Sequence, residues 1–150
     1  MEKIIQIATA AIGTLGYSLV FNVGKRHLLL SAIGGGLCWA AFLLLQELGM
    51  GVFGSTFFAA ALMGLCGILA SHAFKMPTTV FIVPACVPLI PGSSLYYALA
   101  ALLTKNWAEW QTHSTLLVTY AMGIATGLAM VMELDYMRRR FRDGRRKQKA

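Results

Sequence analysis

Three prolines and a Gly-Ser-Ser triplet lie together in the longest uncharged stretch of this 150-residue chain. Pro84, Pro88 and Pro91 interrupt the stretch Met76–Thr104, and the triplet Gly92–Ser94 follows them directly. Each interior proline removes a backbone donor and clashes with the carbonyl group one turn back, so the stretch cannot form one continuous helix. We therefore expect two helical pieces separated by a break, with the second piece beginning at the first serine.

The start of that second helix has the chemistry to bind a small carboxylate. The first amides of a helix have no internal acceptors, and the helix dipole adds partial positive charge there. With Ser93 as its N-cap, this helix start can bind an anion without a buried arginine or lysine. The hydroxyl of Ser94 adds a donor, and Tyr96 or Tyr97 can close over a small ligand.

The break itself favours a binding function over a packing function. At membrane depth, unwound backbone survives only where protein covers it or where it lines a polar cavity, and broken spans mark substrate sites in transporters. The alternative is a proline kink that serves packing alone. The predicted substrate-binding residues are Pro88, Pro91, Gly92, Ser93, Ser94, Tyr96 and Tyr97.

Three further ionisable residues are candidates for proton coupling or gating. Glu133 and Asp135 end the last hydrophobic run, just before a run of arginines, and His72 lies near the end of the third run. Carboxylates and histidines within membrane segments commonly form proton relays. The alternative is an interfacial acidic pair that is neutralised by Arg138 and Arg139 one turn later.

Composition and charge distribution predict an all-α integral membrane protein. Only 13% of the residues are charged, about half the fraction typical of a soluble domain. Each of five uncharged runs approaches or exceeds the roughly 18–20 residues that a spanning helix needs. We expect five transmembrane helices over residues 1–137, the fourth of them broken, and a basic tail over residues 138–150. The runs are Ile4–Gly24, His27–Gln46, Leu48–Phe74, Met76–Thr104 and Trp110–Met132.

Basic residues predict the orientation of these helices. Eight of the thirteen lysines and arginines lie in Arg138–Lys149, which places the tail in the cytoplasm and the N-terminus outside. Lys25, Arg26 and Lys75 then also lie inside, which agrees with the same topology. The tail is interpreted as a topology signal in contact with lipid rather than as a nucleic-acid site. The first run is interpreted as a retained signal anchor.

No pattern in the sequence indicates an enzyme, a cofactor or a metal. There is no P-loop, no GxGxxG after a strand and no HExxH motif, so this chain alone is not expected to drive transport with ATP. The three cysteines are far apart within hydrophobic runs, where small buried side chains are the expectation. Ser114 or Thr115 is the expected N-cap of the fifth helix, after a loop that begins at Lys105.

The segment PxxxPLIPGSSLYYAL resembles the motif of the threonine/serine exporter (ThrE) family. The layout of nearly the whole chain resembles the small subunit of that family, which corresponds to the C-terminal half of longer members. The residues that carry the resemblance are Pro84, Pro88, Pro91, Gly92, Ser93 and Tyr96.

The resemblance implies secondary export of small carboxylates across the bacterial inner membrane. Threonine and serine are the substrates of one branch of the family, and succinate-like dicarboxylates are those of the branch with two subunits. It also implies a partner, a separate membrane subunit that carries the N-terminal half. Self-association remains open, and a non-transporting scaffold or assembly subunit and a small channel are the alternative functions.

Overall fold

The computed structural model describes residues 1–25, 27–75 and 77–147, and its side chains as far as residue 140. Within these residues all regular structure is helical. The predicted topology signal at Arg26 and the end of the tail, residues 148–150, lie outside the described residues. The elements are α1 (Glu2–Val20), α2 (Leu28–Glu47), α3 (Val52–Phe74), α4 (Thr79–Ala85), a 3₁₀ turn (Val87–Leu89), α5 (Gly92–Leu103) and α6 (Trp107–Lys147).

Four or five segments of the fold are candidate membrane spans. The helices α1, α2, α3 and α6 are each long and apolar enough to cross a bilayer. A fifth span arises if α4, the 3₁₀ turn and α5 form one segment, which bends by 54° at its break. The expected all-helical fold and the break in its fourth hydrophobic segment are therefore confirmed, with four or five candidate spans, whereas the count of five spans and their orientation stay predictions.

The helices pack as a row with the broken segment lying across it. In space, α1 packs on α2, α2 on α3, α3 on α6, and α6 on α5. The short α4 contacts α1, α2 and α3, so the first part of the broken segment covers one side of the row. The apolar core lies where these elements meet, and its buried members are Cys38, Phe42, Ala59, Ala60, Met63, Ile82, Ala85, Cys86 and Leu89.

Glycines allow close approaches between the helices. A methyl group at Gly127 would collide with the carbonyl oxygen of Phe57, and one at Gly123 would lie 2.9 Å from Cβ of Thr56. These two glycines therefore bring α6 directly onto the backbone of α3. On α2, a methyl group at Gly35 would overlap the side chain of Thr14 on α1.

The beginning of α6 differs from the sequence prediction. The helix begins at Trp107 rather than near Ser114, and Asn106 Oδ1 accepts a 3.4 Å hydrogen bond from the amide of Glu109. The predicted cap at Ser114 or Thr115 is therefore wrong. The segment after Asn106 contains neither proline nor glycine, so nothing in it prevents helix formation. At its other end α6 continues past residue 138, so the helix does not end at the predicted start of the tail.

Candidate functional site

The break in the fourth segment consists of a 3₁₀ turn followed by an inverse γ-turn. Ile90, which precedes a proline, is extended with φ −68° and ψ 121°. Pro91 has φ −79° and ψ 67°, and the amide of Gly92 donates a 2.8 Å hydrogen bond to the carbonyl of Ile90. These values define an inverse γ-turn centred on Pro91. The break begins only after Ala85, because α4 continues through Pro84.

The start of α5 leaves two backbone amides unpaired. The helix begins at Gly92, so Ser93 is its second residue and makes no side-chain cap; the predicted N-cap is wrong. The amide of Gly92 is already paired, and the carbonyl of Pro91 accepts from Leu95 at 3.0 Å. Among the described residues, the amides of Ser93 and Ser94 have no acceptor. The start of α5 therefore offers two free amides, fewer than the sequence predicts, and carboxylate binding there stays a prediction.

This helix start opens toward the outside of the chain. Gly92 and Ser93 are exposed, whereas Ser94 is buried at 8% exposure. A methyl group built on Gly92 meets no atom within 4 Å, and Gly92 does not have a positive φ. Tyr96 and Tyr97 are both exposed, and their closure over a bound ligand stays a prediction.

A histidine that the sequence analysis assigned to a loop lies beside the predicted site. The ring of His113 stacks on Tyr97, with centroids 5.3 Å apart and planes at 28°. Its Nδ1 atom is buried and has no hydrogen-bond partner. Because α6 begins at Trp107, His113 lies nearly two turns inside a candidate span. The sequence could have revealed that His113 lies inside a helix, because the segment between Asn106 and His113 contains neither proline nor glycine.

An open cavity of about 300 Å³, with a mainly apolar lining that includes several polar side chains, lies beside the break, between α1, α2 and the 3₁₀ turn. Nε1 of Trp39 is a buried donor without a partner. The hydroxyls of Thr9 and Thr14 donate to carbonyls of their own helix, which leaves their oxygen lone pairs free to accept. Of the residues that line this cavity, only Pro88 was predicted from the sequence to bind substrate. The lining residues are Gln6, Thr9, Ala10, Gly13, Thr14, Trp39, Val87 and Pro88.

Two of the three predicted coupling residues meet at the far end of α3 and α6. Nε of Arg139 donates to Asp135 at 2.7 Å, and Nη2 of Arg139 lies 3.2 Å from Nε2 of His72. His72 Nε2 is also 3.8 Å from Asp135 Oδ1. Asp135 is thus paired by one of the two arginines considered above. Glu133 is exposed and forms no ion pair among the described side chains.

Several apolar helices and a broken span define a multi-pass helical membrane protein. The family model described as "Threonine/Serine exporter, ThrE" matches residues 6–134 of the chain. The chain therefore belongs to the threonine/serine exporter family, a family of transport proteins, and the resemblance of its proline motif is confirmed.

One curated relative comes from Haemophilus influenzae and is described as an uncharacterized protein. It is 35% identical over 94 residues, which are 63% of this chain and 32% of the relative. The matched part thus spans about a third of the relative's length. No solved structure matches the chain.

Proposed function

We propose that the chain is one subunit of a two-component secondary exporter of small carboxylates. Succinate-like dicarboxylates or the amino acids threonine and serine are its substrates. It resides in the bacterial inner membrane with five spans, an external N-terminus and a cytoplasmic C-terminus. The membership of the transport family supports the transport role.

The observation that carries the proposal is the unpaired helix start of α5. This helix has twelve residues, so with Leu103 at the membrane surface Ser93 lies about 15 Å deep, near the middle of a core about 30 Å thick. Lipid cannot satisfy the free amides of Ser93 and Ser94 at this depth. A substrate carboxylate can, because it accepts hydrogen bonds and is favoured by the helix dipole.

The exposure of the same helix start supports a partner subunit. A carboxylate bound at Ser93 would face lipid unless another polypeptide covered the open side at Gly92. The longer relative, of which this chain matches about a third, leaves room for a second half within one polypeptide. We therefore propose that a separate membrane subunit supplies the N-terminal half and encloses the site. A second copy of this chain is the alternative cover.

The cavity beside Pro88 supplies a second polar contact for the substrate. Gly92 lies four positions after Pro88, so the two backbone positions are at most about 14 Å apart. Nε1 of Trp39 can donate to a hydroxyl or carboxyl oxygen, and the threonine hydroxyls can accept. The cavity is thus a second point of contact along the substrate path, separate from the carboxylate site at the start of α5.

Alternating access would use the break as a hinge. The chief packing partner of α5 is α6, so the two can move together relative to α1–α3. At the tail end, the contacts of Arg139 with Asp135 and His72 join α6 to α3 and can act as a gate. A proton gradient would drive the cycle, with His72 and Asp135 as the candidate coupling groups, since Nε2 of His72 lies 3.2 Å from Nη2 of Arg139 and 3.8 Å from Asp135 Oδ1.

Replacement of the two serines tests the substrate site. In the complex isolated through a tag on this chain, Ser93→Ala and Ser94→Ala should each lower kcat/KM about tenfold, since a hydrogen bond to a charged group is lost. Ser114→Ala on α6 is the matched control and should transport normally. Normal transport by the complexes of both variants would indicate that this chain does not bind the substrate, and would favour a scaffold subunit that does not itself transport. A transport rate that does not saturate with substrate concentration would favour a channel.

A further inference from the structure

An apolar groove of about 520 Å³ runs along the seam between α3 and α6. It is separate from the α5 start and from the cavity at Trp39. Half of the side chains that line it are exposed hydrophobic residues, and no described element covers them. The walls include Phe58, Leu62, Leu65, Leu69, Met130 and Leu134.

The length of the groove matches one leaflet of a bilayer. On α3 it extends from Phe58 to His72, which are about 21 Å apart along a helix. A bilayer with its headgroup regions is about 40–45 Å thick, so the groove spans half of it. On α6, Arg138 lies about 42 Å beyond Trp110, so an interfacial Trp110 places Arg138 in the opposite headgroup layer.

The charged end of the groove carries an unpaired cation. His72, Asp135 and Arg138 line this end. Asp135 is already neutralised by Arg139, whose guanidinium also contacts His72. Arg138 has no ion-pair partner among the side chains that the structure describes. The groove therefore combines an apolar body with a positive end at headgroup level.

We propose that this groove binds one anionic phospholipid from the leaflet on the side of the basic tail. An acyl chain lies along Leu65 and Leu134, and the phosphate accepts hydrogen bonds from Arg138. A zwitterionic lipid fits the same walls but brings its own ammonium group, which offsets the attraction to the arginine. This site is separate from the proposed substrate site, although His72 and Asp135 at its charged end also belong to the proposed gate.

Lipid binding to the full chain, extracted from membranes with its bound partners, tests the proposal. Native mass spectrometry would compare phosphatidylglycerol with phosphatidylethanolamine at matched chain length. Arg138→Gln should reduce the preference for phosphatidylglycerol about fivefold, the effect of one basic residue at a membrane surface. Arg140→Gln removes the same charge outside the groove and should preserve most of the preference. Equal losses in both variants would contradict a defined site and indicate diffuse attraction to the basic tail.

Filling the groove provides a second test that does not depend on charge. Leu65→Trp should lower the occupancy of both lipids, because the larger ring occupies the path of the acyl chain. Leu37→Trp is the matched control, since Leu37 is similarly exposed on α2 but does not line the groove. Equal occupancy in the two tryptophan variants would overturn the proposal. Thermal unfolding of each variant would verify that the fold is retained.

Discussion

Nothing in the described structure of the chain requires a glycine at position 92. Its φ is not positive, and a methyl group would meet nothing within 4 Å. Glycine is also used where a ligand or a second backbone approaches closely. We therefore attribute Gly92 to the substrate or the partner that covers the start of α5.

Gly92→Ala should fold normally and lose transport. The methyl group would occupy the space of the bound carboxylate, and a displacement of about 1 Å can cost on the order of 100-fold in rate. Initial transport rates and thermal unfolding of the complex would measure the two effects. Gly16→Ala, which also places a methyl group in open space, should alter neither. Wild-type transport by Gly92→Ala would refute close approach at this residue.

Trp39→Phe should weaken substrate binding with only a small loss of stability. The indole N–H is buried and unpaired, which costs about 1–3 kcal/mol, so its removal offsets part of the packing against Phe42 that the smaller ring loses. Loss of a donor to the substrate should raise KM several-fold. Trp107→Phe removes an indole N–H from an exposed ring and is the control. An unchanged KM would exclude the cavity from the substrate path.

At the level of residues, the local backbone effect of each residue type was predictable. Which side chains lie together in the fold was not. The prolines identify the break because a missing donor is a property of the residue type alone. The γ-turn at Pro91 was not predictable, since proline restricts φ but leaves ψ to its surroundings. Trp39 and Thr14 share a cavity only because α1, α2 and the 3₁₀ turn pack together. The sequence does not show how these three elements are rotated relative to one another.

Among the elements, the pair α3–α6 depends most clearly on small residues. Gly127→Ala would drive a methyl group into the carbonyl oxygen of Phe57, and backbone cannot yield as a flexible side chain does. Overpacking of this kind costs about 1–3 kcal/mol. Thermal unfolding in detergent should therefore show a lower midpoint for Gly127→Ala, whereas Gly13→Ala, with open space around it, should retain the wild-type midpoint. Equal midpoints would contradict the packing described for α3 and α6.

The helices α3 and α6 also show how far the spacing of small residues predicts which helices pack together. The spacing of Gly123 and Gly127 is typical of a face for close packing, but many helices carry such a pair, and only the fold identifies α3 as the partner. The start of α6 was misplaced because the segment from Lys105 to the expected cap, which contains Trp107 and Trp110, was interpreted as a loop. Indole rings occupy an interface equally well from the first turn of a helix.

For the whole molecule, the orientation in the membrane can be measured directly. Gly51→Cys in the connection between α2 and α3 should react with an impermeant thiol reagent added outside the cell. Lys25→Cys in the connection between α1 and α2 should react only after permeabilisation, as the positive-inside rule requires. Labelling in the reverse pattern would show that the basic tail lies outside and that the proposed topology is wrong.

The central claim is that this chain and a separate partner subunit together export small carboxylates. The most direct test measures accumulation of labelled succinate, threonine and serine in inside-out vesicles under an imposed proton gradient. Vesicles would contain this chain alone, the partner alone, or both. We predict saturable accumulation of at least one solute only when both subunits are present, and its loss in Gly92→Ala. Absence of accumulation of all three solutes by the assembled pair would contradict the account.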